Sequence, residues 1–109
     1  MSKSEIKTFG ETLRKLREEN SMPLRKLAAL LDLDQSTLSK IERNERRANT
    51  ELINKLSDIF KIDKKNLQIS FMSDKVAYEL LEEENPRDIL KVVEQKICYL
   101  KLSKKPTNV

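Results

Sequence analysis

Histidine and tryptophan are absent from the 109 residues, glycine and cysteine occur once each, proline three times, and the aromatic side chains are two Tyr and three Phe. Without histidine the commonest general base and metal ligand is missing. No phosphate loop or nucleophile elbow is present, and the carboxylates are spread along the chain with no convergent acid/base pair, so an enzyme is not expected. The lone Cys98 excludes an internal disulfide and any multi-cysteine metal site, which agrees with a reducing compartment. No metal or cofactor is expected. One glycine and three prolines suit short helices better than a turn-rich sheet. With five aromatics and none inside the basic segment, base stacking on RNA is disfavoured. Apolar clusters such as Leu27 to Leu31 are too short to cross a bilayer, and Met1 to Lys7 has no apolar signal region, so a soluble, cytoplasmic protein is expected.

What the chain does have is charge, 37% of its residues against 38% apolar, in a length that fits one domain with at most an appendage. Residues 1–70 hold fifteen Lys/Arg and eleven Asp/Glu, while residues 71–109 hold seven of each, so the net +4 belongs to the N-terminal part. Lys40, Arg43, Arg46 and Arg47 fall within eight residues, opposed only by Glu42 and Glu45. By charge alone that cluster is equally a solvated face or an anion-binding one.

Apolar spacing divides the chain into helices. Ile6, Phe9, Leu13 and Leu16 recur at steps of three and four and define one face of a first helix ending near Asn20 and Ser21. Pro23 suits the first turn of a second helix, whose buried stripe is Leu24, Leu27, Ala28 and Leu31 and which stops at Asp32. Asp34 is the expected N-cap of a third helix running to about Arg43, with Leu33 packing on Leu38 as a hydrophobic staple. Only Leu38 and Ile41 are clearly apolar on it, so most of its surface faces outward. Thr50 is the expected cap of a fourth helix with Leu52, Ile53, Leu56, Ile59 and Phe60 inward, and Ile62, Asp63 and Leu67 repeat the staple and cap for a short fifth.

The run Gly10-Glu11-Thr12-Leu13-Arg14-Lys15-Leu16-Arg17, then Leu27-Ala28, Leu30-Leu31 and Gln35-Ser36-Thr37-Leu38-Ser39-Lys40-Ile41-Glu42-Arg43, with Leu56 onward, resembles the Cro/C1-type helix-turn-helix proteins, the Xre family, over roughly residues 6–67. The resemblance implies a five-helix, lambda-repressor-like bundle that binds double-stranded DNA as a regulator, with the third helix in the major groove. Base readers are then expected at Gln35, able to pair bidentately with adenine, and Lys40, able to reach guanine, with Ser36 and Ser39 tuning them. Phosphate contacts are expected from Arg25, Arg43, Asn44, Arg46 and Arg47, and from Thr37 unless its own backbone takes it. Arg17 and Glu42 match positions that form an internal ion pair in the family. The chain departs from the family at Leu24, often Gln there, at Asp32 and Asn44, which stand where glycines are common, and at Ala48 in place of a proline. Asp and Asn are among the few residues that tolerate positive φ, so both turns remain open to them.

Beyond residue 70 the resemblance gives no guidance. Ser73 is the expected cap of a sixth helix carrying Val76, Ala77, Leu80 and Leu81, ended by Glu82 to Glu84. Asn85 and Pro86 then start a seventh helix running to about Leu102. Its residues Leu90, Val93, Ile97 and Leu100 have heptad spacing, and this stripe must be covered, either by its own domain or by the same hairpin of a second chain. The dimer is favoured because paired helix-turn-helix units read a two-fold symmetric site. Cys98 is expected to be a small buried hydrophobe.

The expectation is therefore an all-α protein: a helix-turn-helix bundle over 6–69, a two-helix dimerisation hairpin over 73–102 and a disordered tail over 103–109. Its expected role is that of a bacterial or phage-type regulator acting as a homodimer on a palindromic operator. The competing reading is an antitoxin or adaptor whose hairpin holds a partner protein.

Overall fold

The structure, a computed structural model, describes residues 7–103. Among these there are six helices and no strand: α1 (Phe9–Glu19), α2 (Leu24–Leu31), α3 (Gln35–Glu42), α4 (Thr50–Phe60), α5 (Lys64–Leu80) and α6 (Pro86–Ser103). Ile6 and residues 104–109 lie outside the described residues, and Ser103, expected in the tail, is the last residue of α6. Two compact units divide the chain, Met1–Val76 and Ala77–Val109, and α5 runs through the boundary.

In the first unit α1 and α2 both pack on α3, and α2 also packs on α4. Phe9 and Leu13 of α1, Leu27, Ala28 and Leu31 of α2, Leu38 and Ile41 of α3, and Leu52, Ile53 and Leu56 of α4 form one buried cluster, completed by Leu67 and Phe71 of α5. Leu13, Leu27, Leu31, Leu38, Ile53 and Leu56 are fully buried, and each such side chain contributes on the order of 1.5–3 kcal/mol of apolar transfer. Leu24, Leu33, Ile59, Phe60 and Ile62 pack around the edge.

Local chemistry sets the helix ends. Thr8 caps α1 through a reciprocal capping box with Glu11, a Thr-x-x-Glu signal that the apolar spacing alone overlooks. Pro23 is the N-cap of α2, one residue earlier than expected, because its extended ψ of 154° lies outside the helix. Asn49, and not Thr50, caps α4, its side chain accepting from the Leu52 N–H at 2.9 Å. Lys55 Nζ donates to the Leu31 carbonyl at 3.3 Å and so satisfies an end group of α2. Asp32 and Asn44 have φ of 60° and 64°, the left-handed conformations that glycine would supply. Ser21 and Lys61 also adopt positive φ, with no glycine-like signal in the sequence.

The expected fifth and sixth helices are one. No Gly or Pro occurs in Lys64–Leu80 to stop α5, and Ser73, expected as a cap, instead bonds back to the Ser70 carbonyl at 3.1 Å in mid-helix. Continuity carries Phe71 and Asp74 onto the start of α1. The rings of Phe9 and Phe71 meet edge-on, centroids 5.6 Å apart at 74°, Lys75 lies 5.1 Å from the Phe71 centroid, and Asp74 Oδ2 accepts the Phe9 N–H at 2.9 Å. The N-terminal unit therefore extends to Val76, past the expected limit at residue 69.

In the second unit every residue of α6 is exposed except the half-buried Ile89. Cys98 is exposed, contrary to the expectation of a buried thiol, because it lies off the apolar stripe on a helix whose sides are all open in the single chain.

Candidate nucleic-acid interface

The third helix is held from both ends and from below. At its start Asp34 accepts the Thr37 N–H at 2.8 Å. Hydrogen bonds from the Thr37 side chain and backbone, with the nearby charges of Arg46 and Lys40, hold this carboxyl below its ordinary value. Beneath it, Leu38 and Ile41 enter the core together with Glu42, the one buried charged residue among those described. Glu42 accepts two hydrogen bonds from Arg17, Nε to Oε2 at 2.7 Å and Nη2 to Oε1 at 3.0 Å. The remaining Arg17 Nη1 donates to the Met22 carbonyl at 3.1 Å, tying the α1–α2 turn to the same group. The bond to Glu42 raises the Arg17 pKa above its ordinary value and so keeps the guanidinium charged despite its burial. Side-chain exposures of 13% for Arg17 and 5% for Glu42 make this a structural pair and leave it no part in an outward-facing surface.

At its exit α3 meets the only glycine. A Cβ on Gly10 would collide with the Ile41 carbonyl and lie 2.7 Å from the Glu42 carbonyl and Asn44 Oδ1. The absence of a side chain there lets α1 cross the end of α3. Asn44, expected to bind phosphate, instead turns its amide inward, Nδ2 donating to Thr8 Oγ1 at 2.8 Å. The left-handed backbone that Asn44 supplies in place of a glycine aims its side chain at the α1 cap.

Outward, Gln35, Ser36 and Lys40 are exposed, with Ser39 and Thr37 half-buried beside them. Gln35, Ser36 and Lys40 make no side-chain hydrogen bond or ion pair with other described residues. Arg46 and Arg47 are exposed in the loop after α3, and Arg25 is exposed in the first turn of α2. Arg43 is also exposed but engaged: its guanidinium pairs with Glu45 at 3.1 Å through both Nε and Nη2 and donates to the Ser39 hydroxyl. Glu45 is thereby held below the ordinary carboxylate range, and the Arg43 pKa is raised. Leu24 sits half-buried against the core, a support for α2 where the family often carries a polar residue.

Among the described residues no cluster of three His, Cys, Asp or Glu could hold a metal, and no helix is long and apolar enough to cross a membrane. A short, rigid helix with free hydrogen-bonding side chains and a basic exit can enter a groove and bond base edges and phosphates.

Comparison with known proteins agrees with that chemistry. Residues 13–66, from within α1 to the first turn of α5, match the family model described as helix-turn-helix, of the Cro/C1 type, a family of DNA-binding regulatory domains that are not typically enzymatic. No curated protein and no solved structure gives a match. Through residues 13–66 this chain belongs to the Cro/C1-type (Xre) helix-turn-helix family and is a DNA-binding transcription regulator.

Proposed function

We propose that the protein is a sequence-specific regulator that lays α3 in the major groove of double-stranded DNA and acts as a dimer on a two-fold symmetric operator. The observation that carries the reading is the division of α3 into a pinned inner face, Leu38, Ile41 and Glu42, and an outer face whose Gln35, Ser36 and Lys40 are exposed and uncommitted. Gln35 in the first turn is suited to adenine N6 and N7, and Lys40 to guanine O6 or N7, while Ser36 and Ser39 adjust the fit. Arg25, Arg46 and Arg47 fix register on phosphates, with Thr37 beside the cap. Arg43 joins them by exchanging its exposed pairing with Glu45 for a phosphate oxygen. Asn44 is left out of this set because its amide is already bonded to Thr8.

Pairing is supported by the exposed stripe Leu90, Val93, Ile97 and Leu100 on α6. A dimer would set two copies of α3 about 34–36 Å apart, one DNA turn. Selection of bound sequences from a random DNA pool by the intact chain tests the whole reading. Enrichment of a palindrome with half-sites one turn apart is the expected result. Recovery of no preferred sequence would overturn it, and recovery of a single unpaired half-site would remove the dimer while leaving base reading in place.

A further inference from the structure

Ser39 lies within α3 and Arg43 is its C-cap, one helical turn further along the same face. The Arg43 guanidinium is held at all three nitrogens. Nε donates to Glu45 Oε2 and Nη2 to Glu45 Oε1, both at 3.1 Å, while Nη1 donates to the Ser39 hydroxyl. The two carboxylate oxygens thus occupy the Nε–Nη2 edge in the bidentate manner that a phosphate group also fits. The pair is open to water, with side chains 51% and 54% accessible, so a phosphate can take the place of Glu45 at little cost. Because the guanidinium is one rigid plane, Nη1 has no need to leave Ser39 when the other edge changes partner.

A serine hydroxyl has one proton to give and two lone pairs to receive. At Ser39 a lone pair is taken by Arg43 and the proton is unspent. Ser57 and Ser73, also within helices, donate theirs to the carbonyls of Ile62 at 2.8 Å and Ser70 at 3.1 Å, whereas Ser39 donates to no acceptor among the described residues. Accepting from a cation polarises a hydroxyl toward donation, and the charge behind it repels the hydrogens of an exocyclic amine. In the major groove guanine presents O6 and N7 and thymine O4, all acceptors, while cytosine presents only its N4 donor. We propose that Arg43 and Ser39 act as one unit: the Nε–Nη2 edge passes from Glu45 to a backbone phosphate, Nη1 stays on Ser39, and the Ser39 hydroxyl thereby reads a guanine or thymine and rejects cytosine. The inference rests on the reading that α3 enters the major groove, and adds the polarity of the Ser39 contact and the residue that sets it.

Selection from a random DNA pool by the full chain and by its Ser39→Ala and Arg43→Met variants tests it, followed by titration of the selected duplex and of its variants at the affected base pair. Both side chains lie on the outward face, and urea midpoints check that each variant is folded. Ser39→Ala is expected to lose a discrimination against cytosine of about five- to tenfold at one base pair. Arg43→Met is expected to lose the same preference at the same pair, besides weakening every duplex alike. The double variant should lose no more of that preference than either single one. An Arg43→Met protein that binds every duplex more weakly yet still rejects cytosine would overturn the coupling and leave Arg43 a phosphate contact alone. Enrichment of cytosine at the pair that Ser39→Ala affects would overturn the polarity. Glu45→Gln is expected to tighten binding to all duplexes alike by about threefold, and by less when Arg43 is Met; equal gains in the two backgrounds would overturn the exchange of carboxylate for phosphate. If the natural chain enriches no sequence, the placement of α3 in the groove falls together with this inference, whereas a preferred sequence without the shared loss at one pair refutes the inference alone.

Discussion

At Gly10 a single hydrogen atom permits the crossing of α1 and α3, since any Cβ would strike the Ile41 carbonyl. Gly10→Ala should therefore destabilise the N-terminal unit by about 2–3 kcal/mol through overpacking, read as a lower midpoint in urea. Arg17 and Glu42 make a comparable demand of opposite origin. Arg17→Met strands a carboxylate that is 5% exposed and should cost about 3 kcal/mol, whereas Arg17→Met combined with Glu42→Leu should recover much of that loss. A double variant as unstable as the single one would show that the pair does more than neutralise its own burial cost. On the outer face the expected effects are on recognition. Gln35→Ala should relax preference at one or two base pairs, by about 1–3 kcal/mol of discrimination. Arg46→Ala should weaken all sequences alike and lower the salt slope by about one. Quantitative binding to operator and random DNA at several salt concentrations separates the two. These exposed residues were legible in the sequence because hydrogen-bonding types recur where the apolar stripe is narrow. Asn44 was not read correctly, because the direction of its side chain depends on the left-handed turn beneath it and on Thr8 across the crossing.

Among the elements, α3 is the most dependent on its cap. The Asp34 carboxylate, held below its ordinary value by Thr37, contributes to stability fully above the normal aspartate range. That contribution is lost as pH falls through the depressed value. The protection of the Thr37 amide, taken relative to its intrinsic exchange rate at each pH, should therefore fall only at acid pH. Asp34→Asn should keep the cap and remove that pH dependence, while Asp34→Ala should speed exchange at every pH. Hydrogen exchange followed by NMR across the acid range distinguishes the three. Helix boundaries were legible to within a residue or two wherever Asp34, Asp63 or Pro86 marked them. The junction of the expected fifth and sixth helices was misplaced at Ser73. A serine is as compatible with back-bonding in mid-helix as with capping, and only the packing of Phe71 on Phe9 decides between them.

For the molecule as a whole the consequence is that α5 belongs to both units. Cutting the chain after Ser70 would remove Phe71 and Asp74, which bury against Phe9 and bond its N–H. A fragment ending at Ser70 should accordingly unfold at lower temperature than one ending at Leu80, with a difference of about 3–5 kcal/mol for the lost aromatic side chain. Equal stability would show that the C-terminal turns of α5 contribute nothing to the first unit. Both fragments lack α6, and so both should bind a half-site without cooperativity on a palindrome.

The sequence by itself determined the all-α class, the positions of the first four helices, the core stripe and the family, because each follows from spacing along one helix and from residue types that any local backbone would sort in the same way. The tertiary structure decided which polar residues are spent internally. Arg17, Glu42, Asn44, Lys55 and Asp74 all carry groups that could face solvent or a ligand, and each is committed by a partner between 5 and 65 positions away along the chain. A side chain's hydrogen-bonding capacity is local, but its availability depends on what the fold brings within about 3 Å of it.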